Sequence, residues 1–236
     1  MKKIIALFMV LCVSSVYSAD NEVFIDQSGA TSNIDIEQMG SGNIIGGANA
    51  QAGSMTALDL DGTTMLLDIN QIGSSNKFLG DIWADSYTGF FEFTGDSNVF
   101  NMQTDPTNTF SADSSNLQVN VTGSSNTFTL NHAIAALAET LDLDWTVQGS
   151  DNSITAAIDV DGATNFMDID GSDNTITYDG DGYAGGYFYL DHTGGNRTFN
   201  IDQASTLDND WLKVISIGSN GTVCIQQNDQ GTSTSC

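Results

Sequence analysis

Asparagine recurs at near-regular intervals along most of this chain. The series comprises Asn21, Asn43, Asn76, Asn98, Asn126, Asn152, Asn174, Asn196 and Asn220. Successive members are separated by 22, 33, 22, 28, 26, 22, 22 and 24 residues. A period in this range is typical of repeat proteins, in which each unit buries its apolar face only by stacking on its neighbours. Function is therefore expected in a surface, an edge or an assembly.

The residues around each asparagine predict two short strands joined by a turn. Before Asn126, for example, Leu117 and Val119 alternate with polar residues, and Gly123 lies three residues before the asparagine. The second residue after it, Phe128, is again apolar. Period-two alternation indicates strands with one buried face, while Gly and Asn favour the turn. The prediction is an all-β protein, a β-solenoid of about nine strand-turn-strand coils.

The longer intervals predict short loop insertions, and two shortened turns leave the strand register of the C-terminal coils undecided. The longer gaps contain insertions near residues 46–54 and 132–142, and the Ala and Leu spacing of the second is typical of one or two helical turns. The turns at Asn196 ("TGGN") and Asn220 ("IGSN") are one residue short, which leaves the register of the C-terminal coils undecided. Residues 19–236 are interpreted as one repeat domain, with residues 205–236 as a candidate C-terminal cap.

The N-terminal residues 1–18 have the form of a secretory signal peptide. Lys2 and Lys3 precede an apolar run that is too short to span a bilayer, and cleavage after Ser18 fits small-residue preferences better than cleavage after Ala19. The mature chain is expected to be secreted, extracellular or at the cell surface. Export favours a disulfide between the remaining cysteines, Cys224 and Cys236, as a terminal clasp; two free thiols are the alternative.

Net charge limits the partners of the chain. Acidic residues number 30 and basic residues 5, and two of the basic residues lie in the signal peptide. Such a chain has no electrostatic footprint for nucleic acid or anionic membranes, so neither nucleic-acid binding nor membrane insertion is expected. Outward carboxylates on successive coils would repel one another, so divalent cations, high salt or acid should favour association.

Metal binding is expected to be weak and confined to the surface. Four Asp-x-Asp-Gly segments begin at Asp59, Asp159, Asp168 and Asp179, but none completes an EF-hand loop. Turn residues with solvated carboxylates are the preferred interpretation. No dedicated metal site and no cofactor are predicted.

Enzymatic activity is not expected. The sequence singles out no pair of carboxylates and no nucleophile elbow, and His132 and His192 are assigned surface or loop roles. Aromatic residues such as Trp83, Trp145 and Trp211 could stack on sugars, although their alternate spacing is more typical of a core. An outward hydroxyl stripe suggests an ice-binding surface as a minor alternative, with interruptions that include Arg197 and Phe199. The stripe residues are Thr127, Thr129, Ser153, Thr155, Thr175 and Thr177.

The segments "FIDQSG", "IEQMGSGN" and "INQIGSSN" resemble the curlin repeat. In that repeat a strand carries an inward Gln, followed by a Gly two residues on and an Asn at the turn. Gln27, Gln38 and Gln71 match the Gln position, whereas Phe93 and other apolar residues replace it later. The resemblance implies a subunit of curli-like, amyloid-like extracellular fibres used in adhesion and biofilm matrix.

Two functional hypotheses follow. The first is a secreted structural or adhesive subunit that associates end to end, because the two ends of a solenoid expose backbone donors and acceptors. The second is a non-polymerising surface or virion-associated module that binds a carbohydrate or cell-surface receptor. The irregular intervals and the loss of inward Gln favour this alternative, which predicts aromatic residues clustered on an exposed loop face.

Overall fold

A computed structural model describes residues 21–40, 43–46, 58–73, 76–104, 112, 114–133, 140–159, 161–182, 186–205 and 210–228. The signal peptide, Cys236 and most of the insertion near residues 46–54 lie outside the described residues. The helical turns expected within residues 132–142 do so as well, whereas the candidate cap at residues 205–236 is described at residue 205 and over residues 210–228.

All regular structure in the described part of the chain is β-strand. Seventeen strands form one sheet. They are β1 (Glu22–Val23), β2 (Asp26–Ser28), β3 (Thr31–Met39), β4 (Ile44–Ile45), β5 (Leu58–Ile72), β6 (Lys77–Thr94), β7 (Val99–Thr104), β8 (Ser115–Thr122), β9 (Thr127–His132), β10 (Leu141–Gln148), β11 (Ser153–Asp159), β12 (Thr164–Asp170), β13 (Thr175–Gly182), β14 (Tyr187–Thr193), β15 (Arg197–Ser205), β16 (Trp211–Ile217) and β17 (Gly221–Asn228).

The strands stack in parallel and in register, and they form the two faces of a solenoid. Face A contains β3, the second halves of β5 and β6, and β8, β10, β12, β14 and β16. Face B contains β1, β2, β4, the first halves of β5 and β6, and β7, β9, β11, β13, β15 and β17. The described strands make eight complete coils followed by β17, slightly fewer than the nine expected. The β-solenoid prediction is confirmed.

Alternation of apolar and polar residues places the core between the two faces. In β8 the apolar Leu117, Val119 and Val121 are buried, while the intervening residues are not. The same pattern recurs from coil to coil, so inward side chains stack in rows along the axis. Burial of these rows is the main source of stability in such a fold.

Aromatic rings fill the middle of the core, and glycines make room for them. Phe78 contacts Phe91 and Phe100 at ring-centroid distances of 4.8 Å and 5.2 Å. A Cβ on Gly80 would lie 2.7 Å from Phe78 Cζ, and one on Gly89 would lie 2.6 Å from Phe91 Cε2. Each of these strand glycines therefore provides the volume for a ring two residues away.

The long asparagine intervals are accommodated without a change of register. Ile45 pairs with Phe78 and Leu58 pairs with Gly80, so the face-B pairing before and after the first insertion is offset by only two positions on β6. After Asn98 and Asn126, pairing stops at Thr104 and His132 on face B and resumes at Ser115 and Leu141 on face A. The coils on either side keep their stacking.

Candidate functional site: the axial ladder and the ends of the solenoid

The turn from face A to face B is a Gly-x-x-Asn unit with fixed backbone geometry. In one such turn Gly123 has φ +145° and Ser125 has φ +59°, and Asn126 is fully buried. A Cβ on Gly149 would overlap the carbonyl oxygen of Gly123 on the preceding coil. Glycine is required there both by its backbone conformation and by the close approach of successive coils.

The buried asparagines tie each turn to itself and to the next coil. Asn126 Nδ2 donates to Gly123 O at 2.8 Å within its own turn. The backbone N–H of Asn126 donates to Asn152 Oδ1 at 3.1 Å, and the N–H of Asn98 donates to Asn126 Oδ1 at 2.8 Å. These bonds form a polar ladder that runs in one direction along the axis.

Bonds of this kind link Asn76, Asn98, Asn126, Asn152 and Asn174. Asn43 occupies the equivalent position, but Asn76 Oδ1 accepts no hydrogen bond. Asn43, Asn76, Asn98, Asn126, Asn152 and Asn174 are buried. Asn21 lies at the N-terminal edge, where its Nδ2 donates to Asn43 Oδ1 at 2.9 Å.

Asn196 and Asn220 lie outside the ladder, so the prediction that they occupy the same turn position as the other asparagines was wrong. Both are exposed and have left-handed φ values of 52° and 58°, the conformation that Asp151 and Asp173 adopt in earlier turns. Pairing places Arg197 and Gly221 in the ladder positions instead. Asparagine tolerates positive φ, so it can take the third residue of the turn as readily as the fourth.

Two of the three curlin-like glutamines, Gln38 and Gln71, form a short amide row on face A near the N-terminal end, whereas Gln27 lies on face B. Gln71 Nε2 donates to Gln38 Oε1 at 2.7 Å, and both side chains are buried. Gln27 Nε2 donates to Ser32 Oγ at 2.6 Å. The row ends at Gln71, whose Oε1 has no hydrogen-bond partner, because the next coil presents Phe93 at this position.

Both histidines are buried inside the solenoid, so the expected surface or loop roles were wrong. His132 Nδ1 lies 2.9 Å from Tyr87 Oη and 2.8 Å from Thr104 Oγ1, and burial lowers the pKa of His132 to about 3. His192 Nδ1 lies 3.2 Å from Ser216 Oγ, and burial lowers its pKa as well. Both follow two buried apolar residues in strict alternation, a signal that sequence reasoning could have used.

Carboxylates line up across coils on the outside of face B. Asp59 pairs in register with Asp26 on one side and Asp81 on the other. Partial burial raises the pKa of Asp59, with further increases from Asp61, Asp26 and Asp81. Near the C-terminal end Asp179 is in register with Asp202, and burial followed by repulsion from Asp181 and Asp202 raises its pKa. No group of three His, Cys, Asp or Glu residues in the described ranges could hold a metal ion.

Cys224 is disulfide-bonded, and its partner lies outside the described residues. Pairing with Cys236 therefore stays a prediction. Cys224 is in register with Asn200 on face B.

Exposed aromatic residues cluster on face A near the C-terminal end. Phe166 stacks on Tyr189 with ring centroids 4.7 Å apart, and Tyr187 stacks on Trp211 at 4.1 Å. Lys213 Nζ lies 5.0 Å from the Tyr189 ring centroid. We call Phe166, Tyr187, Tyr189 and Trp211 the aromatic patch. It lies on strands rather than on loops, and Trp211 is exposed whereas Trp145 belongs to the core.

Hydroxyl side chains form two outward rows on face B. One row contains Thr129, Thr155 and Thr177. The other contains Thr127, Ser153, Thr175, Thr198 and Thr222. It continues past the expected interruption because Thr198, not Arg197 or Phe199, occupies the next position. A groove of about 560 Å³ lies at the C-terminal end of these rows, and Thr177, Thr198 and Thr222 are part of its lining.

Among the described strands, those of the first and last coils pair with a neighbouring strand on one side only. At one end β1 pairs with β4, and β2 and β3 pair with β5; at the other, β16 pairs with β14 and β17 with β15. Exposed apolar side chains also concentrate in these coils. They include Phe24, Met39, Trp211, Ile217, Val223 and Ile225.

The described part of the chain contains no helix that is long and apolar enough to cross a membrane. In comparisons with known proteins, no family model, no curated protein and no solved structure matches this chain.

Proposed function

We propose that the chain is a secreted structural or adhesive protein, a subunit of a curli-like extracellular fibre or surface matrix. The observation that carries this proposal is the one-sided pairing of the terminal strands. Backbone donors and acceptors at such an edge pair readily with a strand from another chain. Self-association end to end would satisfy them and continue the same sheet.

Solvent exposure of apolar residues at the ends supports the same proposal. Met39 is 66% exposed in the first coil and Ile217 is 63% exposed in the last. The central coils of face A carry polar residues at the same register position, for example Thr94 and Thr122. Eight coils at a spacing of about 4.8 Å make a rod of roughly 38 Å, so a fibre requires many copies. Stacking would cover part of this apolar surface.

Electron microscopy and thioflavin fluorescence on the purified mature chain test this proposal. Fibres are expected to form, and to form faster with calcium or at acidic pH, because both reduce repulsion between outward carboxylates. A monodisperse monomer in every condition would contradict the fibre function.

A second candidate is a carbohydrate or cell-surface receptor site at the aromatic patch. The exposed rings and Lys213 favour this alternative, since aromatic side chains provide large contact areas at low entropic cost. Glycan arrays and cell binding with Trp211→Ala test it, with Phe90→Ala as a matched control because Phe90 is an exposed ring in the middle of the same face. Loss of binding only in Trp211→Ala would support the receptor site, and equal binding by both variants would contradict it.

A further inference from the structure

The last described strand exposes residues that belong to the inward side of the solenoid. Val223, Ile225 and Gln227 are in register with Phe199, Ile201 and Gln203, which are buried. Val223 and Ile225 are nevertheless each 42% exposed. An in-register strand stacked on β17 would cover these two side chains.

The first coil carries the same inward triplet on the same face. Val23 is in register with Ile45, and Gln27 with Leu60, and Val23 and Ile25 are partly buried against the core. Residues 23–27 and 223–227 therefore both read Val-x-Ile-x-Gln from the inside. In parallel strands, identical residues in register stack with matched volumes.

The outward residues that would meet at a joint between the two ends differ in charge. Asp179 and Asp202 are in register with Gln226 at the C-terminal end, and Asp26 is in register with Asp59 and Asp81 at the N-terminal end. Strand β17 has no charged residue. If β17 pairs with the first coil of another copy, Gln226 stands between the two acidic runs and no carboxylates face each other directly.

We infer that copies join on face B, where β17 of one copy pairs in parallel with residues 22–28 of the next. In this joint Val223 lies beside Val23, Ile225 beside Ile25, and Gln227 beside Gln27. This inference rests on the proposed end-to-end assembly and specifies its face, direction and register.

The asparagine ladder agrees with this direction. Within the rod, the N–H at one ladder position donates to Oδ1 of the asparagine on the next coil, as from Asn152 to Asn174 at 3.0 Å. Gly221 occupies the last ladder position and Asn21 the first. The joint gives the Gly221 N–H an acceptor in Asn21 Oδ1 of the next copy, so the type of bond that ends within the rod at Asn174 forms again at the joint.

Disulfide trapping between two variants tests the register. Copies with Asp26→Cys are mixed with copies with Gln226→Cys, assembled and oxidised. The joint places these two Cα atoms about 4.8 Å apart, within the range for a disulfide. The matched control mixes Asp26→Cys with Thr222→Cys, four residues out of register and about 14 Å apart. At least tenfold more linked dimer is expected from the first mixture, with the crosslink located by peptide mapping.

The outcomes separate the joint from the fibre function. Fibres in which the two mixtures crosslink equally, or not at all, would overturn the joint and leave the proposed function standing. Absence of fibres from the wild-type chain in every condition would overturn both.

A charge variant provides a second measurement that needs no new cysteine. Gln226→Asp connects the two acidic runs across the joint and should raise the concentration needed for assembly about two- to fivefold. Gln103→Asp adds the same charge beside Asp81 inside the rod and should leave that concentration unchanged. Equal effects of the two substitutions would count against the joint.

Discussion

At the scale of single residues, the buried asparagines satisfy backbone groups that neither strand pairing nor water reaches. Asn126 donates to the carbonyl of Gly123 and accepts from the N–H of Asn98, so one side chain serves two coils. A buried polar group that loses its partner costs more than the net gain from the original hydrogen bond. The asparagine is thus required for stability at this position.

Replacement of Asn126 by Ala should lower the free energy of unfolding by about 2 to 3 kcal/mol, because two buried backbone groups lose their partners. Urea denaturation followed by circular dichroism measures the change. The matched control is Asn196→Gly, which should remain within about 0.5 kcal/mol of wild type, because the exposed Asn196 has a positive φ that glycine adopts freely. Similar losses in the two variants would contradict the ladder assignment.

The pKa of His132 predicts sensitivity to acid. Its value of about 3 in the folded chain is below the value of about 6.5 in the unfolded chain, so the unfolded state binds the proton first as pH falls. The contribution of His132 is complete above pH 6.5 and decreases below it, by up to about 1.4 kcal/mol per pH unit.

The variant His132→Phe isolates this contribution. Unfolding free energies measured between pH 7 and 4.5 should fall more steeply in wild type than in the variant. The partly buried aspartates act in the opposite direction, since their raised pKa values stabilise the folded chain as pH falls, but they are common to both proteins. Parallel pH profiles would rule out His132 as the acid-sensitive group.

At the scale of elements, the turn depends on glycine because successive coils approach too closely for a side chain. Gly149→Ala should destabilise the chain by about 3 kcal/mol or more, since it combines a glycine-only conformation with overlap on the carbonyl of Gly123. Hydrogen exchange should show the loss concentrated in the neighbouring turns. Gly29→Ala is the matched control, because nothing lies within 4 Å of a Cβ there, and its stability should match wild type.

The strand and turn elements could be predicted from sequence because their signals are local. Alternation identified inward Leu117 and Val119, and the Gly-x-x-Asn spacing identified the turn. The C-terminal register could not be assigned from asparagine alone, since Asn196 fits the third turn position as well as the fourth. Counting from Gly194 would have placed Arg197 in the ladder and Thr198 in the hydroxyl row.

Other features were inaccessible to sequence reasoning because they depend on packing between the faces. The space that Gly80 leaves for Phe78 and the contact of Tyr87 with His132 join residues whose proximity follows only from the three-dimensional stacking. The aromatic patch also required the structure, because Phe166 and Tyr189 adjoin only through the pairing of β12 with β14. The open ends, in contrast, follow from the solenoid class itself.

At the scale of the whole molecule, stacked carboxylates work against the stability of the rod. Asp59→Asn should raise the free energy of unfolding by about 0.5 kcal/mol at neutral pH and low salt, because it removes repulsion with Asp26 and Asp81, which solvent partly screens. Glu92→Gln is the control, since its in-register neighbours are the uncharged Asn70 and Asn120. Denaturation at two salt concentrations should show a smaller salt dependence in Asp59→Asn alone; an unchanged salt dependence would exclude this row as its source.

The sequence between Ile45 and Leu58 lengthens the chain without a matching shift in the pairing of the coils. The two residues pair with Phe78 and Gly80, which are only two positions apart, although twelve residues separate Ile45 from Leu58 in the sequence. New sequence can therefore enter a coil here without displacing any other coil. The molecule can change what it presents to its surroundings while its core, its ladder and its two ends remain constant.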